Sequence, residues 1–375
     1  MIISFYTPFE KYLDKSEGCF LYDSEGKKYI DFESGVWCTN LGHNHPDINK
    51  TIKTQLKKSI HQGYFFKNQL AENLSEKLNQ KTGLNNGKSV FLSSGSEAVN
   101  LAITLARQIT SRDKILTTDI SYLSAYGHGQ NSPKNNYLIT ISFNDIPAIQ
   151  DIDFSQIAAL VIETGGASMG IIKFPDSQFI QELVKQAKEK DVIVIANEVT
   201  TGMGRTGKWF GFQHYNILPD IVTTGKGLGN GYPVSAVSVS EEIARQFENA
   251  PFRYAQSHQN DPLGCAIALE VFRIMEEKKQ IEKGAETGIY FKNKLDKIAT
   301  ENRNKIKEIR ARGMMLAIEF HQNIKAENIH SRLFDTGFIA GDKFNTLRFM
   351  PPLIISKKEI DQLTGNIEKI LSESK

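Results

Sequence analysis

From about residue 68 onward, continuous apolar runs alternate with segments of helical periodicity. Residues 89–92, 157–162, 192–196 and 221–223 are apolar runs of strand length, whereas 100–108 and 178–190 place apolar side chains at helical spacing. Strands apolar on both faces, separated by amphipathic helices, predict an α/β domain whose mostly parallel sheet is covered by helices on both sides. After about residue 262 the pattern changes. A long helix-like block (263–299) is followed by short strands at 306–309, 315–320 and 346–349, then by a helix from Lys357. That order predicts a smaller α+β domain. The opening residues contain CFLYDSEGKKYIDF, a strand pair with Ser24-Glu25-Gly26 as its turn, expected to pack on the smaller domain. The expected division is 1–40 for the N-terminal segment, 41–262 for the large domain and 263–375 for the small one. There is no internal repeat and no low-complexity linker.

A chain of 375 residues accommodates that division. The formal net charge of +2 argues against a nucleic acid as the main partner. Three widely spaced cysteines, Cys19, Cys38 and Cys265, form neither a disulfide framework nor a zinc site, so a reduced, cytoplasmic setting is expected. Charges at Glu10, Lys11, Asp14 and Lys15 interrupt the N-terminus, which rules out a signal-peptide reading. No run approaches the roughly 18 apolar residues of a membrane helix, and no membrane partner is expected.

The stretch IANEVTTGMGRTGKW carries glycines 202, 204 and 207 at the spacing of a dinucleotide-binding turn, and it stops one hydroxyl short of a P-loop. Neither reading survives its context. A dinucleotide turn needs a helix opening at the third glycine, but KWFGFQHYNILPD follows, with a further glycine and a proline. The acidic residue due about 20 positions later is also missing. The P-loop reading fails at Trp209, where a hydroxyl should hold magnesium.

SVFLSSGSEAVNLAITLAR is a better anion site. A strand ends at Leu92, Gly95 permits a sharp turn, and a helix follows with Ala98, Leu101, Ala102 and Leu105 on one face. Ser94 and Glu97 have capping-box spacing. The amides of Gly95 and Ser96 at the positive end of that helix can hold a phosphate, or can belong to a plain N-cap. Lys226, in PDIVTTGKGLGNGYP, follows a short apolar strand and lies between glycines. It is either a solvated loop lysine or an amine projecting into the crevice where open sheets bind ligands; there, desolvation would free it for Schiff-base chemistry.

The run NEVTTGMGRTGKWFGFQHYNILPDIVTTGKGLGNGYPVSA resembles the signature of the class III (ω-type) aminotransferases, pyridoxal-phosphate enzymes of fold type I. YDSEGKKYIDFESG, LGHNHPDI, SSGSEAVNLAITLAR, SHQNDPLGCAIAL, RARGMMLAIEF and LRFMPPL extend the resemblance in family order over nearly the whole chain. It implies an enzyme moving an amino group between an amine or amino acid and a carbonyl acceptor. Lys226 would form the internal aldimine with pyridoxal 5'-phosphate and then shuttle the proton. Gly95 and Ser96 would hold the phosphate, Tyr122 would stack on the ring, and Val199 would pack on its other face. Glu163 matches the acid that opens the loop after its strand. Ser257 takes the place of a threonine that reaches the neighbouring subunit's phosphate, which implies a homodimer with shared active sites. Arg348 matches an arginine that binds a substrate carboxylate in several members, and Trp37 is assigned with it to the substrate. By this resemblance the glycines after Thr201 shape a turn beside the cofactor.

Several positions depart from the family pattern. Asn197 stands where the family has an aspartate paired with the protonated pyridine nitrogen, a charge that makes the ring an electron sink. Thr200 replaces a glutamine near the cofactor's phenolic oxygen. Leu123-Ser124-Ala125 replaces a His-Gly-Arg whose arginine binds the α-carboxylate of glutamate in ornithine- and acetylornithine-type members. Ser168, in ETGGASMG, replaces a glutamate that masks an arginine. Both halves of the usual glutamate machinery are missing, so glutamate is not the expected donor. The Ser-Met-Gly ending is similar to the loop of glutamate-1-semialdehyde aminomutase. An aminomutase, epimerase or lyase therefore stays open beside transamination, as does a paralogue without turnover. His43 and His45 read as a structural turn and no metal is expected.

Overall fold

The computed structural model describes residues 3, 5, 6, 9–165, 170–249 and 252–373. Strands β1 (Leu13–Glu17), β2 (Phe20–Asp23) and β3 (Lys28–Asp31) form an antiparallel meander. The Asp23 carboxylate closes the anticipated β2–β3 turn by accepting the N–H groups of Glu25 (3.1 Å) and Lys27 (2.8 Å). After β3 comes an unusual left-handed turn, Ser34–Trp37, in which φ is 42°, 58°, 58° and 69° in order. Such a run is costly for non-glycine residues and persists only where the surroundings hold it. Helices α1 (Pro46–Gln55) and α2 (Gln69–Thr82) then lead into the main sheet.

That sheet contains β4 (Lys88–Leu92), β5 (Lys114–Thr118), β6 (Leu138–Ile141), β7 (Ile157–Ile162), β8 (Ile193–Asn197), β9 (Ile221–Thr224) and β10 (Ser235–Val239). Their spatial order is β4-β10-β9-β8-β7-β5-β6. All pairs are parallel except those of β10, which runs against both β4 and β9. Every residue of β7 is buried, as a strand covered on both faces requires. Helix α3 (Gly95–Thr110) packs Leu101, Ala102 and Leu105 against Ala159, Val161 and Ile195 on one face. On the other, α4 (Ser177–Lys188) packs Phe179, Ile180 and Leu183 against Leu160, Ile162 and Val194. The sheet is closed by α5 (Glu241–Asn249) after β10.

The apolar-run criterion passes over β5, β6 and β10 because serine and threonine interrupt them. Their buried hydroxyls are satisfied within the sheet: Thr117 donates to the Val161 carbonyl (2.9 Å), and the Ser238 and Ser89 hydroxyls bond to each other (2.8 Å). The expected block 263–299 is two helices, α6 (Pro262–Glu277) and α7 (Gln280–Glu301), broken at Lys279 where φ is 48°. Strands β11 (Ile306–Arg312) and β12 (Met315–Phe320) follow, then α8 (Ala326–Asp335), β13 (Phe338–Ile339), β14 (Gly341–Lys343), β15 (Thr346–Phe349) and α9 (Lys357–Glu373). These strands form an antiparallel sheet in the order β11-β12-β15-β14, while β13 pairs in parallel with β3 and so joins the N-terminal meander to the C-terminal part. Among the described residues no helix is long and apolar enough to cross a membrane.

Candidate active site

Three neighbouring parallel strands end at the same edge of the main sheet, and each delivers a polar residue there. Glu163 follows β7, Asn197 closes β8, and Lys226 lies just past β9, beyond Gly225. The carboxyl edge of an open α/β sheet is where the backbone amides, helix starts and loops of successive units converge. Lys226 has φ of 43° and opens a short 3-10 turn, which sends its side chain off the strand axis. Its Nζ donates to the Thr200 hydroxyl at 2.8 Å and lies 4.7 Å from the centre of the Trp37 ring. Among the described residues it has no ion-pair partner. Burial pushes its pKa below the ordinary lysine value and the nearby Arg348 charge acts in the same sense, against Cys38 and Glu163.

The loop from β4 into α3 passes close to Val199. A Cβ on Gly95 would lie 2.5 Å from Val199 Cγ1, so only glycine allows this approach. The first intrahelical bond of α3 runs from the Ala98 N–H to the Ser94 carbonyl, which leaves the Gly95 and Ser96 amides outside the helical ladder. Ser94 caps the helix by accepting the Glu97 N–H at 3.3 Å. The reciprocal half of the expected capping box is displaced by one residue. Glu97 accepts from the Ser93 N–H (3.0 Å) rather than from Ser94, because its other oxygen accepts the Tyr254 hydroxyl (3.0 Å). Ser96 accepts the Ala125 N–H at 3.0 Å and keeps its own hydroxyl proton free to donate.

Tyr122 is 38% exposed and is anchored through its backbone: its N–H donates to Glu163 (3.1 Å) and its carbonyl accepts Asn197 Nδ2 (3.3 Å). Those two contacts tie its backbone to the ends of β7 and β8 and leave the side chain partly exposed. Asn197 is buried, and its amide orientation follows from chemistry alone. The Tyr122 carbonyl can only accept, so it faces Nδ2. The Val199 N–H can only donate, so it faces Oδ1, at 3.3 Å.

Arg348 on β15 and Trp37 on the left-handed turn reach the same place from the other sheets. The Arg348 guanidinium is 5.1 Å from the Trp37 ring, whose centre is also near Lys226 Nζ. The carboxylate facing Arg348 belongs to the chain itself. Glu33 accepts from Arg348 Nη2 at 3.1 Å and from Nε at 3.2 Å, and it also accepts the Trp37 indole N–H at 3.2 Å. Glu33 escaped the sequence reading, since nothing in DFESG signals a partner 315 residues away.

Ser257 is exposed on the turn before α6, apart from the Lys226 group. That turn is tied to the end of β4 by Asn260, which exchanges bonds with Phe91 (2.9 Å each), and by Gln256, which donates to Ser93 (3.3 Å). Ser168 lies outside the described residues. The glycines after Thr201 extend beyond the Lys226 group. Gly204 and Gly207, with φ of 81° and 88°, fold a turn that carries the fully buried Arg205 into a seam. There its guanidinium bonds Ser34 Oγ (3.0 Å), Asn40 Oδ1 and the Pro351 carbonyl, bridging the N-terminal segment and the C-terminal part. Before the glycines, Thr200 bonds Lys226 and Val199 packs on Gly95 and Gly225. His43 pairs with Asp31 (2.7 Å) and His45 caps α1, so both serve the turn they sit in.

A parallel sheet edge bearing an amine, an open helix start and an exposed aromatic ring suits an enzyme that works through a carbonyl cofactor. Comparison with known proteins agrees. The family model "Aminotransferase class-III" matches residues 5–131 and 123–371. Acetylornithine aminotransferase of Methanocaldococcus jannaschii is 33% identical, over 97% of this chain and 94% of its own. Ornithine aminotransferase of Oceanobacillus iheyensis is 32% identical, over 98% and 95% respectively. The crystal structure of acetylornithine aminotransferase from Elizabethkingia anophelis superposes with a TM-score of 0.87 at 29% identity, covering 99% of this chain and 96% of that one. The chain belongs to the class-III aminotransferase family. Its fold is that of the fold type I enzymes, its cofactor is pyridoxal 5'-phosphate, and its chemistry is amino-group transfer between small amino and keto compounds. Nothing in the comparisons supports an aminomutase, epimerase, lyase or inactive paralogue. The residues fit the cofactor: a Cβ on Gly225, the residue before Lys226, would lie 3.4 Å from Val199 Cγ1 and 3.5 Å from Gly95 Cα, so the cradle with its free amides and the turn carrying the lysine lie side by side.

Proposed function

We propose that Lys226 holds the cofactor covalently and that its Nζ then moves the proton as an amino group passes from an amine or amino acid to a carbonyl acceptor. When bound, pyridoxal phosphate supplies an aldehyde that condenses with amines and a ring that draws off electron density from the substrate carbon. The observation that carries the reading is the state of Lys226: an amine at the sheet edge, its pKa lowered by burial, held by a hydroxyl rather than a carboxylate. A carboxylate partner would keep the ammonium charged and unreactive. Thr200 keeps Nζ aimed while it is free, and its hydroxyl remains available to a phenolic oxygen afterwards. The Gly95 and Ser96 amides and the Ser96 hydroxyl take the phosphate at the start of α3. Tyr122 and Val199 bracket the ring, and Glu163 braces Tyr122 through its backbone.

Asn197 distinguishes this site. With Nδ2 committed to the Tyr122 carbonyl, any bond to a ring nitrogen falls to Oδ1, a neutral acceptor that also takes the Val199 N–H. A neutral partner holds a ring proton less firmly than a carboxylate does, by about 1.4 kcal/mol per unit of pKa. Trp37 and Arg348 belong to the substrate side, and the missing arginine at Ala125 argues against glutamate as donor. The family relatives named for acetylornithine and ornithine are too distant, at 32–33% identity, to carry their substrates over.

The division at residues 40 and 262, a cytoplasmic location and a homodimer without nucleic-acid or membrane partners complete the proposal. Ser257 on an exposed turn supports a shared site. So do Phe65 and Phe66, which are 83% and 72% exposed and would be covered by a second copy. The test is spectroscopic. The purified protein should show a visible cofactor band that survives dialysis, and Lys226→Ala should release the cofactor on dialysis. A band retained in the variant refutes the role of Lys226. Candidate amines should leave their nitrogen on the cofactor and be released as carbonyl products, an outcome that separates transamination from epimerisation and from a protein without turnover.

A further inference from the structure

We propose that Glu33 is the specificity-determining residue of this pocket: it occupies the carboxylate-binding face of Arg348, so the enzyme selects an amino donor whose reacting carbon bears no carboxylate. The inference rests on Lys226 as the reacting amine and adds what that amine is offered.

An arginine recognises a carboxylate through two parallel N–H groups, and Arg348 presents one such fork toward the pocket, made by Nε and Nη2. Both groups are taken by Glu33, at 3.2 Å and 3.1 Å. The guanidinium has little freedom to turn another edge outward. A Cβ on Gly341 would lie 2.4 Å from Nε, and one on Gly170 would lie 2.4 Å from Nη1, so bare backbone grips it from two sides. The Trp37 ring lies 5.1 Å from it. Glu33 is equally constrained. It is 7% exposed, its own N–H is bound to Asp31 Oδ1 (2.8 Å), and the indole N–H of Trp37 holds its Oε2. The left-handed turn from Ser34 to Trp37 joins Glu33 to Trp37, and it is pinned by Ser34 Oγ donating to the Met350 carbonyl (2.6 Å) and by the Gly35 N–H donating to Asp31 (2.9 Å).

A substrate carboxylate approaching Arg348 would therefore have to eject a buried anion whose one ion-pair partner among the described residues is Arg348 itself. Stranding a buried charge in this way is strongly unfavourable. As long as the pair stays closed, Arg348 and Glu33 cancel each other. Because the one Trp37 ring lies beside both Arg348 and Lys226, the neutralised pair sits next to the amine that reacts. A donor with a plain primary amine, or with its carboxylate remote from the reacting carbon, meets no such penalty.

The experiment uses the cofactor-loaded enzyme and propionate, a carboxylate without an amine, titrated by calorimetry. Glu33→Gln should bind propionate at least tenfold more tightly than the native protein, and Glu33→Gln combined with Arg348→Gln should lose that gain. Steady-state rates on a straight-chain α-amino acid and on the matching primary amine give a second readout. Glu33→Gln should shift the ratio of kcat/KM at least tenfold toward the amino acid. Propionate affinity and the ratio both within twofold of native, or a gain that persists in the double variant, overturn the proposal. If Glu33→Gln fails to load cofactor, Glu33→Asp, one methylene shorter, should move both readouts in the same direction by a smaller factor, and no movement overturns the proposal. Propionate binding does not depend on turnover, so it still reports on Arg348 if the role of Lys226 fails.

Discussion

Replacing Asn197 by aspartate tests the electronic argument at one atom. The side chain is 4% exposed, so the substitution places an anion in a nearly dry site. In the cofactor-free protein this should be unfavourable. The bond from Nδ2 to the Tyr122 carbonyl (3.3 Å) is lost, and an oxygen faces an oxygen in its place. The Val199 N–H (3.3 Å) and the Thr223 hydroxyl (3.5 Å) would bind the carboxylate more strongly, but a buried carbonyl left without its donor costs about 1–3 kcal/mol. The cofactor-free variant should be about 1–2 kcal/mol less stable than the native protein. With cofactor bound the balance reverses. A charge-assisted bond to a protonated ring nitrogen is worth ~1.5–3 kcal/mol, against ~0.5–1.5 for a neutral one. The difference of about 1.2 kcal/mol between the midpoints corresponds to roughly eightfold in rate if it is expressed as the substrate carbon loses its proton. Denaturant titrations of both forms and stopped-flow half-reactions with a reactive amine supply the numbers. A cofactor-free variant of native stability would show that the Tyr122 contact is idle. Half-reactions unchanged or slower would show that the neutral partner suits the native chemistry, and the electronic argument would fail.

Three other perturbations probe the surroundings. Gly95→Ala drives a methyl into Val199 Cγ1, so it should weaken cofactor binding at least tenfold in equilibrium dialysis and cost about 1–3 kcal/mol of stability; affinity within twofold of native would mean that the loop is not a phosphate cradle. Arg205→Met strands acceptors on Ser34, Asn40 and Pro351 and should lower unfolding stability by about 3–5 kcal/mol, whereas a loss under about 1 kcal/mol would show that the seam does not depend on it. Burial lowers the pKa of Lys226, so its free-amine form must appear at lower pH than that of a surface lysine. Competitive acetylation of cofactor-free protein, read by peptide mass spectrometry, should give Lys226 the lowest midpoint, and a midpoint among the surface lysines contradicts this.

What could be read from the chain follows from where each signal is stored. Residues 157–162 and 192–196 are apolar throughout because both faces of a parallel sheet are covered, so the strands were legible from local pattern, whereas Glu163 and Asn197 at their ends were singled out only by the family resemblance. Gly95 and Lys226 were likewise visible as glycine-marked turns at strand ends. Strand β10 was not, since SAVSV hides its burial behind hydroxyls that find partners only across the sheet. The partner of Arg348 was invisible for a different reason. Its bond to Glu33 joins opposite ends of the chain; Arg348 was read as the partner of a substrate carboxylate, and Glu33 alone carries no signal. The same holds for Arg205, whose turn looked like a nucleotide motif and instead fastens three distant segments together.

The central claim is a covalent bond at one nitrogen. Borohydride reduction of the purified, cofactor-loaded protein, followed by digestion and peptide mass mapping, should locate the reduced pyridoxal phosphate on Lys226 alone. A map with the label on another lysine, or with no labelled peptide after the visible band has bleached, would contradict the account.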